Sequence, residues 1–186
     1  MGEGTFQVPG LDTRLLGSVD AKVLDELHFA CAEFVELVEG RPPASGDGQR
    51  LLSDRPEGCS LEDKFVFGLF ESGRLVGVID LLRDYPEPRR WYLGLLMLAP
   101  EVRDRGLGTR TVTVLGDWIH QQNGQYLRLI VQTQNPSALK FWKRNGFTKV
   151  GTAIHAGDAK KNEVLQMELD LAASHLLRVG SGNLHP

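Results

Sequence analysis

Hydrophobic positions recur at three- and four-residue spacing from about Ser18 to Val38, where Val23, Leu24, Leu27, Cys31, Phe34, Val35 and Val38 share one face. That period predicts an amphipathic helix. Ser18 or Asp20 suits its N-cap, and Gly40 with Pro42 and Pro43 ends it. Thr13 to Leu16 reads as a short first strand, and Arg41 to Gly58 as a loop or flap with a short helix near Gln49 to Ser53. The runs KFVFGLF (Lys64 to Phe70) and LVGVIDLL (Leu75 to Leu82) are β-prone and flank Glu71-Ser72-Gly73, which predicts a hairpin. Trp91 to Ala99 is a further apolar run of strand length.

Beyond Pro100 the pattern changes to one helix over Arg110 to Gln122 and a strand over Tyr126 to Thr133. A short helix from Pro136 to Asn145 follows, opened by Asn135 as N-cap with Pro136 in its first turn. Strands over Phe147 to Ile154 and Glu163 to Leu171 complete the order, joined by the polar turn His155 to Asn162. The expectation is an α/β (α+β) fold: a mixed, mostly antiparallel sheet of six to seven strands flanked by about four helices. The 186 residues suit one domain, read as 1–173, with a flexible tail over 174–186.

A net charge of -3 gives no bulk attraction for a phosphate backbone or an anionic membrane, so neither is expected as a partner. Cys31 and Cys59 lack metal-ligand spacing, which points to a reducing compartment and no metal. With no apolar stretch of spanning length and no leader pattern at the N-terminus, a cytoplasmic location is expected.

The segment Arg103-Asp104-Arg105-Gly106-Leu107-Gly108-Thr109 lies between an apolar strand and an amphipathic helix. Glycines there let main chain approach a ligand, and the first N–H groups of a helix lack intrahelical partners. Together with the helix dipole they make a site for a pyrophosphate. A P-loop needs a Lys-Ser or Lys-Thr pair after its last glycine, and a dinucleotide fingerprint a third Gly or Ala at Thr111; neither is present. Taken alone, the turn also reads as a glycine-bearing helix start with no ligand.

The stretch LLMLAPEVRDRGLGTRTV, followed about 25 residues on by VQTQNPSALKFWKRNGF, resembles the two cofactor-binding motifs of the GNAT superfamily of acyl-CoA-dependent N-acyltransferases. The resemblance implies the GNAT-type fold and an N-acetyltransferase that uses acetyl-CoA without a metal. It implies that the backbone over Arg103, Asp104, Arg105, Gly106, Leu107, Gly108 and Thr109 wraps the coenzyme A pyrophosphate. It further implies that the main chain of Met97 and Leu98 pairs with the pantetheine arm, in a gap where this strand splays from the next. Asn135, Ala138, Phe141 and Trp142 would line the opposite wall. It also leaves a homodimer open.

Many members carry a tyrosine acid where this chain has Trp142, whose indole N–H is no usable acid. Tyr85, Tyr92 or water remain to protonate the departing thiolate. For the base, Asp80 stands out as a carboxylate in an apolar strand, with Glu62 and Asp63 next. A salt bridge to a neighbouring arginine is the alternative reading of Asp80. Glu62, Asp63 and Trp91 are the candidate contacts to the acceptor. A small-molecule amine is expected as acceptor; the alternatives are a protein or peptide amine, or a catalytically inactive coenzyme A-binding sensor or interaction module.

Overall fold

The computed structural model describes residues 5–175. Within them the chain runs β1 (Asp12–Leu15), α1 (Ala21–Ala30), α2 (Ala32–Glu39), α3 (Asp47–Ser53), β2 (Lys64–Glu71), β3 (Arg74–Leu82) and β4 (Arg90–Leu98). It continues through α4 (Leu107–Gln121), β5 (Tyr126–Gln132), α5 (Pro136–Arg144), β6 (Thr148–Ala156) and β7 (Lys161–Asp170). Short 3-10 turns precede α1, β2 and α4. The proposed tail lies largely outside the described residues.

The strands form one sheet in the order β1-β2-β3-β4-β5-β7-β6. Neighbours are antiparallel except β4 and β5, which run parallel. Alternation sorts the two faces. Phe65 and Phe67 pair with Leu81 and Ile79, and their rings, with that of Trp91, pack on Trp118 of α4 at 5.3–6.0 Å. That face is the aromatic core. The opposite face carries Lys64, Val66 and Asp80. There α1 packs on β3 and α3 packs on α1.

Three expectations on the elements change. The first helix breaks at Cys31, whose φ of -108° and ψ of 30° leave the helical region, so five α-helices are described instead of about four. The break lets α1 stay on the sheet while α2 departs toward the β6–β7 turn. Helix α4 starts at Leu107, three positions before Arg110, which puts Gly108 in its first turn. The expected turn His155 to Asn162 is half strand: His155 pairs with Asn162 and Ala156 with Lys161, which leaves only residues 157–160 as the turn. Exposed polar strand ends carry no hydrophobic alternation, so this pairing left no mark in the pattern.

Candidate active site

Strands β4 and β5 pair only through Arg90–Tyr126, Trp91–Leu127 and Tyr92–Arg128, although they extend to Leu98 and Gln132. Past Tyr92 a gap opens between them. The hydrogen bond from Ala99 N–H to Val76 O, 2.8 Å, sets the phase of the β3–β4 ladder. By alternation the main-chain groups of Met97 and Leu95 face β3, and those of Leu96 and Leu98 face the gap. This corrects the expected role of Met97: its main chain is committed to Val78 and its side chain is buried. Leu98 O accepts from Arg103 Nε at 2.9 Å.

The glycine turn stands at the mouth of this gap. Gly106 has φ of +71° and begins α4 as its N-cap. A Cβ on Gly108 would lie 3.0 Å from the Phe141 ring and 3.7 Å from Leu98, so a side chain there would have to push the ring aside between α4, α5 and β4. Arg105 and Arg110 line a recess of about 130 Å³ beside the turn, and Arg110 Nη1 donates to Arg105 O at 3.0 Å. Asn135 caps α5, its side-chain oxygen accepting from Ala138 N–H at 3.0 Å. Trp142 is buried between Phe141 and Phe147 at ring distances of 4.8 and 5.1 Å.

A β-bulge on β4 marks the base of the gap. Asp80 pairs with Leu95 but Leu81 pairs with Leu93, which leaves Gly94 over. Gly94 is exposed in an otherwise covered strand, and a Cβ there would sit 2.8 Å from Asp80 Oδ2. The other carboxylate oxygen, Oδ1, accepts from Lys64 Nζ at 2.6 Å. Both side chains are nearly enclosed, at 14% and 2% exposure. Burial raises the Asp80 pKa, opposed by the Lys64 ammonium and reinforced by Asp54 at the end of α3. Tyr92 is pushed up to about 12, first by burial and then by its neighbour Tyr85, whose ring stands edge-on at 5.6 Å. Arg90 and Arg128 both donate to Glu168 Oε2, their Nε atoms at 2.7 and 3.0 Å.

Helix α2 crosses the open end of the gap. At its start the Cys31 thiol lies 3.5 Å from Leu98 O. At its end, Val38 O accepts from Asn162 Nδ2 at 2.8 Å and Glu39 O from Ala159 N–H at 2.8 Å. Asp158, in the β6–β7 turn, accepts from Arg41 Nε at 2.7 Å and from both terminal nitrogens of Arg50 at 2.6 and 2.9 Å. These guanidinium groups hold its carboxyl well below the usual range. Asn162 also accepts from Gln134 beyond β5, at 2.7 Å. The larger concavity, about 530 Å³ between α1 and the β2–β3 turn, takes no wall from β5, α4 or α5.

The acetyltransferase (GNAT) family model matches residues 24–147. The chain belongs to that family. A relative in Bacillus subtilis (strain 168), the uncharacterized N-acetyltransferase YobR, is 25% identical over 120 residues, which are 63% of this chain and 44% of that protein. The chain therefore spans less than half the length of that curated relative. Spermidine N-acetyltransferase from Vibrio cholerae, solved with CoA and spermine, superposes with a TM-score of 0.69 at 18% identity, over 89% of this chain and 98% of that one. An acetyltransferase from Thermus thermophilus gives 0.66 at 24% identity, over 88% and 98%. The ribosomal-protein-S18-alanine N-acetyltransferase from Escherichia coli gives 0.64 at 15% identity, over 87% and 94%. The GNAT fold expected from the motifs is thus the fold observed.

In this GNAT chain the gap brings together Leu98, the turn Arg103 to Thr109, Phe141 and, at its base, Asp80 and Tyr92. Trp91 does not belong: it is 1% exposed in the aromatic core on the face away from Asp80, which overturns its reading as an acceptor contact. Asp63 is held by Arg83 at 2.9 Å, and Glu62 is exposed in the turn before β2. Sequence reasoning missed Leu96, Gly94, Lys64 as the partner of Asp80, and the Arg41–Asp158–Arg50 link. The first two needed only the ladder phase and the bulge, neither of which has a signature in single residues.

Proposed function

We propose that this chain transfers the acetyl group of acetyl-CoA to the amine of a small molecule. The observation that carries the reading is the gap beyond Tyr92 and Arg128, glycine-lined at one mouth and opening beside a buried carboxylate at its base. Acetyl-CoA fits the residues present. Leu96 and Leu98 turn main-chain groups into the gap, the first N–H groups of α4 are open to an anion, and a side chain at 108 would fill the cradle. Arg103 would release Leu98 O to the pantetheine arm, while Arg105 and Arg110 add positive charge. Asn135, spent on its cap, supports Ala138 and Phe141 and leaves its amide nitrogen for the arm.

When bound, the co-substrate supplies a thioester carbonyl activated for acyl transfer. Asp80 Oδ2, turned to the bulge, takes the proton of the incoming ammonium. Lys64 holds Oδ1 and favours the ionised carboxylate against the cost of burial. Tyr92 keeps its proton across the working range and serves as a donor, with Tyr85 packed against it. Trp142 supplies shape alone, because its ring is enclosed by phenylalanines. A small acceptor is favoured because α2 and the β6–β7 turn bar the far side of the gap against a folded protein. The spermidine N-acetyltransferase neighbour also acts on a small amine.

The test has two readouts on the whole chain. Acetyl-CoA at about 100 times its Kd should raise the Tm by about 5–10 °C. Thiol release should then depend on added amine. No Tm shift overturns the cofactor assignment. A shift without amine-dependent thiol release across a broad panel favours a coenzyme A-binding module, a reading that the missing tyrosine at Trp142 would fit.

A further inference from the structure

Building on the acetyltransferase reading, we infer that the acceptor site selects amines whose reacting ammonium is their only positive charge and disfavours diamines and polyamines, because the carboxylates on its floor already carry cations of the chain. Two carboxylates look into this part of the sheet face. Asp80 has one oxygen on Lys64 at 2.6 Å, and the Lys64 side chain is 2% exposed. Only Oδ2, beside Gly94, is left for an incoming amine. Glu168 is bracketed by Arg90 at 2.7 Å and by Arg128 through Nε at 3.0 Å and Nη2 at 2.9 Å. All three of these side chains are at most one-quarter exposed.

The charge on that floor follows directly. Lys64, Arg90 and Arg128 bring three positive charges against Asp80 and Glu168 on the floor and Glu87 on Arg90 at its rim, so every one of these carboxylates already holds a cation. Among the other groups around Asp80, Tyr92 keeps its proton across the working range. Asp54, at the end of α3, is 65% exposed and lies 3.6 Å from Arg50, and Glu87 pairs with Arg90 at the rim. A second ammonium reaching past Asp80 therefore meets guanidinium groups instead of an open carboxylate. Like charges placed together in a partly desolvated site discriminate strongly between partners. The Lys64 ammonium already takes the Asp80 oxygen that a second ammonium could otherwise have used.

The experiment compares kcat/KM, by thiol release with saturating acetyl-CoA, for matched pairs of equal chain length: n-butylamine against 1,4-diaminobutane, and longer monoamines against spermidine. The wild-type chain should favour the monoamine by about tenfold or more. Lys64→Ala, which bares Oδ1 of Asp80, should narrow that ratio by about tenfold, and Lys64→Ala with Asp80→Asn should not. The wild-type ratio decides the matter even if the Lys64 variants fail to fold. Equal or better use of the polyamines by the wild type overturns the inference and leaves the acetyltransferase reading intact. Absence of thiol release with every amine, while acetyl-CoA still raises the Tm, overturns the reading itself.

Discussion

The two walls of the β4–β5 gap are made of different material. Toward α4 and α5 the wall is main chain: the groups of Leu96 and Leu98 that pair with no neighbouring strand, the first turn of α4 and the bare backbone at Gly108. Toward α1, α2 and β7 it is charged side chains held by one another: Lys64 with Asp80, Arg90 and Arg128 with Glu168, Arg41 and Arg50 with Asp158. Backbone fixed by helix and strand keeps its donors in place at any pH. Ion pairs hold only while their members are ionised. One wall should therefore fail to sterics and the other to titration.

The sharpest break is expected on the backbone wall. Gly108→Glu places a side chain where even a Cβ would crowd Phe141 at 3.0 Å, and adds negative charge at a helix N-terminus meant for phosphate. We expect acetyl-CoA affinity to fall at least 100-fold and the Tm shift to vanish, as read by thermal denaturation or calorimetry. A retained shift would mean that the cofactor does not lie along α4.

On the side-chain wall the largest effect should come from Asp80→Asn, with kcat lower by about 100-fold and acetyl-CoA affinity nearly unchanged. The wild-type rate should fall as pH drops through a pKa above the ordinary carboxylate value, since burial raises that of Asp80 and the base works ionised. Lys64→Met removes the opposing cation, so this limb should move to higher pH. A pH profile that ignores both substitutions would remove Asp80 from the reaction.

The smallest effect is expected at the bar across the gap. Asp158→Asn breaks the contacts to Arg41 and Arg50, yet its carboxyl is one-third exposed, so the Tm should drop by only about 2–4 °C. The KM for the acceptor should rise a few-fold with kcat held. The pKa values of Asp158 and Asp47 are lowered by their arginine partners, so the folded state binds fewer protons than the unfolded one in the acid range. Their contribution is present at neutral pH and is lost as pH falls below the ordinary carboxylate range. Strong acidification of the wild type should thus lower its Tm toward that of the variant, read by thermal denaturation, since the rate is lost earlier through Asp80.

The same division explains what could be read from residues alone. The turn Arg103 to Thr109 and the run Asn135 to Phe147 are contiguous, so the glycines, the proline and the cap sit at fixed offsets and carry their own local signature. Hydrophobic period marked the first helical run and the helix after the glycine turn, the cap and proline marked α5, and most strands showed as short apolar or β-prone runs. The charged wall draws Lys64, Asp80, Arg90, Arg128 and Glu168 from five strands, and only register brings them together. Asp80 was visible as a carboxylate out of place in an apolar run, but its partner was not, because Lys64 opens its strand at a position that ordinarily meets solvent. Trp91 shows the opposite limit: an aromatic residue near a suspected site belongs to the core when strand parity turns it that way.

The bar across the gap has a further consequence for how the molecule comes together. The contacts that pin it join positions 108, 117 and 124 residues apart, whereas the glycine turn and α5 meet within one stretch of the chain. Loop closure delays such distant partners. A chain emerging in order would hold the glycine turn and α5 before its last hairpin arrives, and would close the far side of the gap only when residues 157–162 dock onto the end of α2.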